Sequence, residues 1–201
     1  LSFAHLSDSQ FDDQGLPRTG ARYLSADRLN PAAVEEVNRL KPAFVLMTGD
    51  LVNKNTHTEW RTFQSIYGRL AMPLYALPGN HDRLGGEGDG DPGGDFRAIA
   101  AANRAHAARL AREGFAGPLA LFQKYTAGLA SGGRTRYSFE RNGSVFICLD
   151  TSSGAIEPEQ VKWLEEELER AHEARHVFVA GHHPLLPVFE EGVVEGRSGN
   201  T

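Results

Sequence analysis

A domain of alternating strands and helices is the fold this sequence predicts, and three features of its 201 residues predict it. Short apolar runs alternate with stretches whose apolar residues recur at helical spacing. Gly, Pro, Asn and Asp punctuate the junctions. Five of the runs end on side chains with acceptor atoms: Asp8, Asp50, Asn80 with His81, Asp150, and His182 with His183. In α/β sheets, functional groups gather in the crevice beyond the carboxyl ends of the strands. The endings and the alternation therefore point to the same place in the fold.

Taken in order, Leu1 to Ser7 reads as a strand that stops at Asp8-Ser9-Gln10, and a polar loop from Phe11 to Asp27 follows. Asn30-Pro31 has the form of an N-cap with Pro at the first helical position, and Val34, Val37 and Leu40 then share one helical face. Phe44 to Thr48 is a buried strand ending at Gly49-Asp50. Trp60, Phe63, Tyr67 and Leu70 space a second helix. Pro73 to Leu77 is another strand, and a Pro-Gly turn after it delivers Asn80, His81 and Asp82 in succession. The segment 85–94 holds six glycines and reads as a flexible surface loop. Asp95 to Glu113, carrying His106, is Ala-rich and helical. Tyr137-Ser138-Phe139 and Val145 to Leu149 flank Asn142-Gly143, the signature of a type I′ hairpin, and the second strand ends at Asp150. Pro158 opens an amphipathic helix with Val161, Leu164 and Leu168 expected inward and a Glu-rich face expected in water. The final apolar run, Val177 to Ala180, leads into Gly181-His182-His183-Pro184.

Composition narrows the function classes. Apolar residues make up 40% and charged residues 23%, which is ordinary for a globular chain. With 21 Lys and Arg against 26 Asp and Glu the net charge is −5, so no basic field for nucleic acid is indicated. No apolar run reaches the ~18 residues that a membrane span needs. The single cysteine, Cys148, cannot form an internal disulfide, which favours a cytoplasmic setting but equally suits a disulfide-free secreted or periplasmic protein with a processed N-terminus. One domain, 1–201, is expected, and nothing in the sequence speaks to oligomeric state.

Carboxylates and an amide oxygen suit hard ions, while imidazole suits Zn, Fe and Mn. A carboxylate between two ions can bridge them, and two metals ~3.5–4 Å apart can clamp a phosphoryl oxygen and activate a water. A histidine beside such a pair can protonate the leaving oxygen.

Taken together, Asp8-Ser9-Gln10, Gly49-Asp50, Gly79-Asn80-His81-Asp82 and Gly181-His182-His183-Pro184 resemble, in order, the calcineurin-like metallophosphoesterases. The resemblance extends over nearly the whole chain, through Tyr137-Ser138-Phe139, Leu149-Asp150-Thr151 and Gln160 to Leu164. It implies a two-sheet α/β/β/α sandwich flanked by helices. It implies two divalent or trivalent ions of the Fe, Mn or Zn class, with Asp50 bridging, Asp8 and Gln10 on the first, and Asn80 and His182 on the second. His81 takes the role of the catalytic histidine, with Asp82 and His183 as supporting residues. The implied reaction is hydrolysis of a phosphoester, most simply a phosphomonoester on a small molecule or phosphoprotein. A phosphodiesterase of the same fold and a non-catalytic phosphate- or partner-binding relative are the alternatives. Two departures stand out: Gln10 occupies the histidine position of the usual Asp-x-His motif, and no Gly-His-x-His pair follows His183. The sequence reading therefore expects the C-terminal part of the fold to lie beyond Thr201.

Five other residues have plainer readings. His5 is a packed or surface histidine within its strand. His57 lies in the loop after Asp50, where only proximity suggests a role. Arg22 and Arg83 carry positive charge without a motif to place them, and Asp150 suits a turn as well as a crevice.

Overall fold

The structure is a computed structural model and describes residues 1–10, 26–84, 105, 108–115 and 117–183. The 85–94 loop, most of the 11–27 loop with Arg22, His106, and everything after His183 lie outside the described residues. The elements in order are β1 (Ala4–Leu6), α1 (Ala26–Leu40), β2 (Val45–Thr48), α2 (His57–Tyr67), β3 (Leu74–Leu77), α3 (Asn80–Leu84), α4 (Ala120–Thr126), β4 (Tyr137–Arg141), β5 (Ser144–Cys148), α5 (Pro158–Arg170) and β6 (His176–Ala180).

The strands form two three-stranded sheets, β1-β2-β3 and β4-β5-β6. The first is wholly parallel, so its three exits point the same way, and Thr48 lies opposite Leu77 where β2 and β3 finish together. In the second, β4 and β5 form the antiparallel hairpin that Asn142-Gly143 predicts, both turn residues taking positive φ (51° and 72°). β6 then runs parallel to β5, with Cys148 opposite Ala180.

Strand alternation divides the core into two layers. Val45, Met47, Leu74 and Ala76 face outward from the first sheet onto Val34 and Val37 of α1, Trp60 and Phe63 of α2, and Phe122 of α4. Leu46, Tyr75 and Leu77, joined by Phe44 just ahead of β2, face the other way and meet Tyr137, Phe146 and Cys148 of the second sheet. Here aromatic rings interlock: Phe44 stacks on Phe3 at 5.2 Å and meets Phe146 edge-on at 5.0 Å. The Tyr137 hydroxyl donates to the Ala76 carbonyl at 3.0 Å, and burial pushes its ionisation far above the usual range, so it remains a donor. On the far face of the second sheet, Glu167 of α5 accepts from Ser138 of β4 at 2.5 Å. The order helices, sheet, sheet, helix is the expected sandwich.

Three local expectations are corrected. Asn30 caps no helix: α1 starts at Ala26 and carries Pro31 inside it. The Asn30 amide is used elsewhere, donating to the Ser9 carbonyl and accepting from the Tyr67 hydroxyl, each within 2.9 Å. Leu40 is exposed, unlike Val34 and Val37. In α5 the inward face holds Gln160 and Glu167 rather than Val161 and Leu168, because both polar side chains find fixed partners there, Gln160 on the Asp150 backbone and Glu167 on Ser138.

Candidate metal centre

The exits of β1, β2 and β3 and the loop after β6 come together at one edge of the sandwich. Oxygens of Asp8 and Asp50 and a nitrogen of His182 all lie within 4.8 Å of one another. His182 Nε2 is 3.1 Å from Asn80 Oδ1 and 3.4 Å from Asp50 Oδ1. Segments more than 170 positions apart in sequence thus deliver four acceptor side chains to one small volume.

Glycines make this crowding possible. Gly49 has φ 92°, and a Cβ there would stand 2.7 Å from the His182 ring and 2.8 Å from the Gly79 Cα. A Cβ on Gly79 would collide with the Asp50 backbone and carboxylate. Asp8 and Asp50 themselves adopt positive φ, 57° and 54°, a conformation that costs a non-glycine residue about 1–3 kcal/mol. The backbone is bent at both exits to aim carboxylates at the crevice.

The hydrogen bonds around the cluster decide what it can hold. His182 Nδ1–H donates to the Thr48 carbonyl at 2.8 Å, which leaves Nε2 facing Asn80 and Asp50 with a lone pair. Three acceptor atoms then converge on one another, an arrangement that a cation resolves, and a metal-binding histidine usually has its other N–H fixed in this way. The donor set of carboxylate, amide oxygen and imidazole therefore fits a divalent ion of the Fe, Mn or Zn class. Asp50, which is buried, receives the His81 backbone N–H at 3.1 Å on Oδ1 and the Gln10 Nε2–H at 2.9 Å on Oδ2. Asp8 is more exposed and accepts from the Ser7 hydroxyl.

His81 is buried beside the cluster, its Nδ1–H donating to the Asn53 carbonyl at 2.8 Å and its Nε2 3.8 Å from Asp50 Oδ2. Asp82 lies wholly inside. Its carboxylate accepts from the backbone N–H groups of Gly79 (2.8 Å), Leu51 (2.9 Å) and Val52 (3.1 Å) and so ties the β2 exit to the β3 exit. Burial raises its pKa to about 8 against the pull of those N–H groups. His183 is held by Thr151, donating its backbone N–H to the hydroxyl at 2.9 Å, with Nδ1 2.6 Å from the carbonyl. The Thr151 hydroxyl also receives the His182 N–H at 2.9 Å. Sequence reading gave no role to Thr151 or to the Thr48 carbonyl. A threonine just after a strand-exit Asp was the available signal for the first, while a backbone carbonyl leaves none.

Some residues stand elsewhere. His57 begins α2 and contacts the Tyr125 hydroxyl at 2.7 Å and Glu113 at 3.0 Å, so it staples helices. His5 pairs with the Thr48 hydroxyl at 2.8 Å. The Asp150 carboxylate accepts from the Ser152 backbone and hydroxyl, which makes it a turn residue. Cys148 is buried and its thiol pKa is pushed up to about 12.

The chain is similar to several known proteins. The chain is 32% identical over 84 residues to the glycerophosphodiester phosphodiesterase GpdQ of Enterobacter lignolyticus, a match covering 41% of this chain and 30% of the relative. It is 34% identical over 85 residues to a probable cyclic nucleotide phosphodiesterase of Rhodopseudomonas palustris, covering 41% and 30%. The matched stretch thus spans less than a third of either relative. A dimetal phosphatase from Danio rerio has the same fold, with a TM-score of 0.59 at 14% identity, covering 92% of this chain and 70% of that one. The purple acid phosphatase PPD1 from yellow lupin seeds matches at 0.59 and 17%, covering 97% and 32%. The family model of the calcineurin-like phosphoesterases matches residues 1–199, and the chain belongs to that family.

Proposed function

We propose that this chain hydrolyses a phosphodiester of a small molecule at a site for two metal ions. The observation that carries the reading is the convergence of Asp8, Asp50, Asn80 and His182, with the His182 Nδ1–H already committed to Thr48. Asp50 would be the shared ligand, Asp8 would hold the first ion, and Asn80 and His182 would hold the second. Gln10 stands beside Asp50: its amide N–H orients that carboxylate, and a half-turn of the same carboxamide would offer its oxygen to the first ion. When bound, the ions supply charge neutralisation for the phosphoryl group and acidify water.

The protein's own groups do the rest. The bent exits at Asp8 and Asp50 preset the ligand positions, so little rearrangement is required. His81, held by Asn53 through Nδ1–H with Nε2 toward the cluster, acts as the imidazolium, whose Nε2–H steadies the departing oxygen and passes to it. Asp82 and Thr151 hold the loops that carry these groups.

The diester reading is favoured over the monoester by the relatives, which are named as phosphodiesterases of glycerophosphodiesters and cyclic nucleotides. The two phosphatases resemble the chain in fold alone. The test is to strip the chain with chelator, reload it with Mn(II) or Zn(II), and measure stoichiometry alongside turnover of bis-p-nitrophenyl phosphate and p-nitrophenyl phosphate. Two ions per chain and faster diester cleavage are expected. Faster monoester cleavage would move the assignment to a phosphatase, while no bound metal and no turnover would leave a binding protein.

A further inference from the structure

Beside the metal centre lies an open cleft of about 510 Å³ whose lining includes Arg83, Arg134, Arg136, Asp150, Glu157 and Glu159. It adjoins the centre at two points. Arg83 follows His81 by two residues on α3, and two residues of helix are about 200° of rotation, so the side chains leave on different faces. Asp150 immediately precedes Thr151, whose hydroxyl holds the His182 and His183 loop. β5 ends and β4 begins at the edge of the second sheet where His182 follows β6, so the cleft opens along the same edge of the sandwich as the four exits.

The two signs of charge in the cleft are not equivalent. Each acidic group has a local reason for its place. Asp150 is committed to Ser152, while Glu157 and Glu159 sit at the N-terminus of α5, where the helix dipole favours an anion. Among the described residues the arginines are placed without a counter-charge: none of the three has a carboxylate partner, although three carboxylates line the same cleft. Two of them are nonetheless held in place. The Arg134 guanidinium lies 5.2 Å over the Tyr137 ring with its Nε donating to the Ser131 carbonyl, and Arg136 lies 5.0 Å over the Trp163 ring. Guanidinium groups that are oriented yet hold no carboxylate match a planar or tetrahedral oxyanion.

We infer that this cleft is a subsite for a second anionic group, a carboxylate or phosphate carried on the far arm of the phosphoester. The inference rests on phosphoester chemistry at the neighbouring exits, and its test is separable from that reading. Three non-hydrolysable probes are titrated calorimetrically into the Mn-loaded and the chelator-treated chain: phenylphosphonate, 4-carboxyphenylphosphonate and benzene-1,4-bisphosphonate. The doubly anionic probes are expected to bind about tenfold more tightly than phenylphosphonate. The carboxylate and bisphosphonate arms tell which oxyanion the cleft prefers. The preference is expected to collapse toward unity in R134Q/R136Q and in R136Q alone to fall part of the way, while R112Q, at an exposed arginine that does not line the cleft, keeps it. Thermal melts confirm that each variant is folded. Equal affinity for all three probes, or a preference that survives R134Q/R136Q, would overturn the subsite. A preference without metal-dependent turnover would leave the subsite and remove the hydrolase, and turnover without a preference would do the reverse.

Discussion

The two sheets are made of similarly apolar strands but stand in different surroundings. In the first sheet every residue of β2 and β3 is buried, because helices cover one face and the second sheet covers the other. In the second, β5 is buried except at the half-buried Val145, while β6 is exposed along most of its length, with Val177 and Phe178 each 38% accessible and Val179 43%. An apolar run in sequence therefore specifies what a strand is built to bury, and only the packing decides how much is covered. The contrast matters for the site. The first sheet supplies Asp50 and Asn80 from its buried strands β2 and β3 and Asp8 from the partly exposed β1, whereas the exposed edge strand supplies His182, which is held in place by hydrogen bonds to Thr48 and Thr151 rather than by its own strand.

The sharpest way to break the comparison is to cut an aromatic out of each layer. Trp60 is fully buried between α4 and the first sheet, stacked on Tyr125 and bonded through Nε1 to Asn55 at 2.7 Å. Trp60→Ala should cost about 3–5 kcal/mol. Phe178 stacks on Phe146 at 4.7 Å but is open to solvent on its other side, so Phe178→Ala should cost about half as much. Denaturant titration of both variants measures this. Equal losses would mean that the second sheet is as tightly packed as the first.

Asp50→Asn tests the carboxylate that the buried sheet presents. An amide carries no charge to share between two cations, so turnover with metal in excess should drop by more than about 100-fold, with the melting temperature little changed. Near-native turnover would remove Asp50 from the bridging role.

How far the sequence revealed this arrangement depends on the kind of interaction. The exits were legible because side chains with acceptor atoms at the ends of parallel strands must share one edge of the sheet, and Asp8, Asp50, Asn80 and His182 stand together there. The hairpin was legible because Asn142-Gly143 leaves the backbone few choices. What was not legible depends on which of several partners a polar group finds in three dimensions. Asn30 looked like a cap but bridges Ser9 and Tyr67. Glu167 looked solvated, yet it is buried against Ser138, and this turned α5 so that Val161 and Leu168 face outward. The capping box of α2, Thr56 with Glu59, was present in the sequence and is one that local chemistry alone would have found. The need for Gly49 and Gly79 arises only from contacts with His182 and Asp50, which come from other strands.

Asp82 sharpens the comparison at the junction of β2 and β3. Its carboxylate gathers N–H groups from both exits, and Asp82→Asn turns one acceptor oxygen into an amide nitrogen facing donors. A loss of about 1–3 kcal/mol in stability is expected from the mispaired groups. Metal affinity should also fall about 10- to 100-fold, as for residues that orient ligands. Calorimetric metal titration, run well below the melting transition, separates the two effects. A stability loss with unchanged metal affinity would make Asp82 a purely structural tie.

The smallest effect is expected where the second sheet is most open. Val179 lies on β6 opposite Ile147, and its neighbour across the ladder is fully buried while Val179 itself is 43% accessible. Replacing it with threonine keeps the β-branched shape and the strand preference, and exchanges a methyl for a hydroxyl that water can reach. Within a buried strand that exchange would leave a hydroxyl to be satisfied, at about 1–3 kcal/mol. At this position Val179→Thr should change stability by less than about 0.5 kcal/mol, and metal affinity should not change because His182 is positioned by Thr48 and Thr151. The informative control is Val45→Thr in β2, where the side chain is fully buried in the helix-facing core and the larger penalty should appear. If the two threonine variants lose the same stability in a denaturant titration, β6 is covered in solution, and the distinction between the closed and open sheets fails.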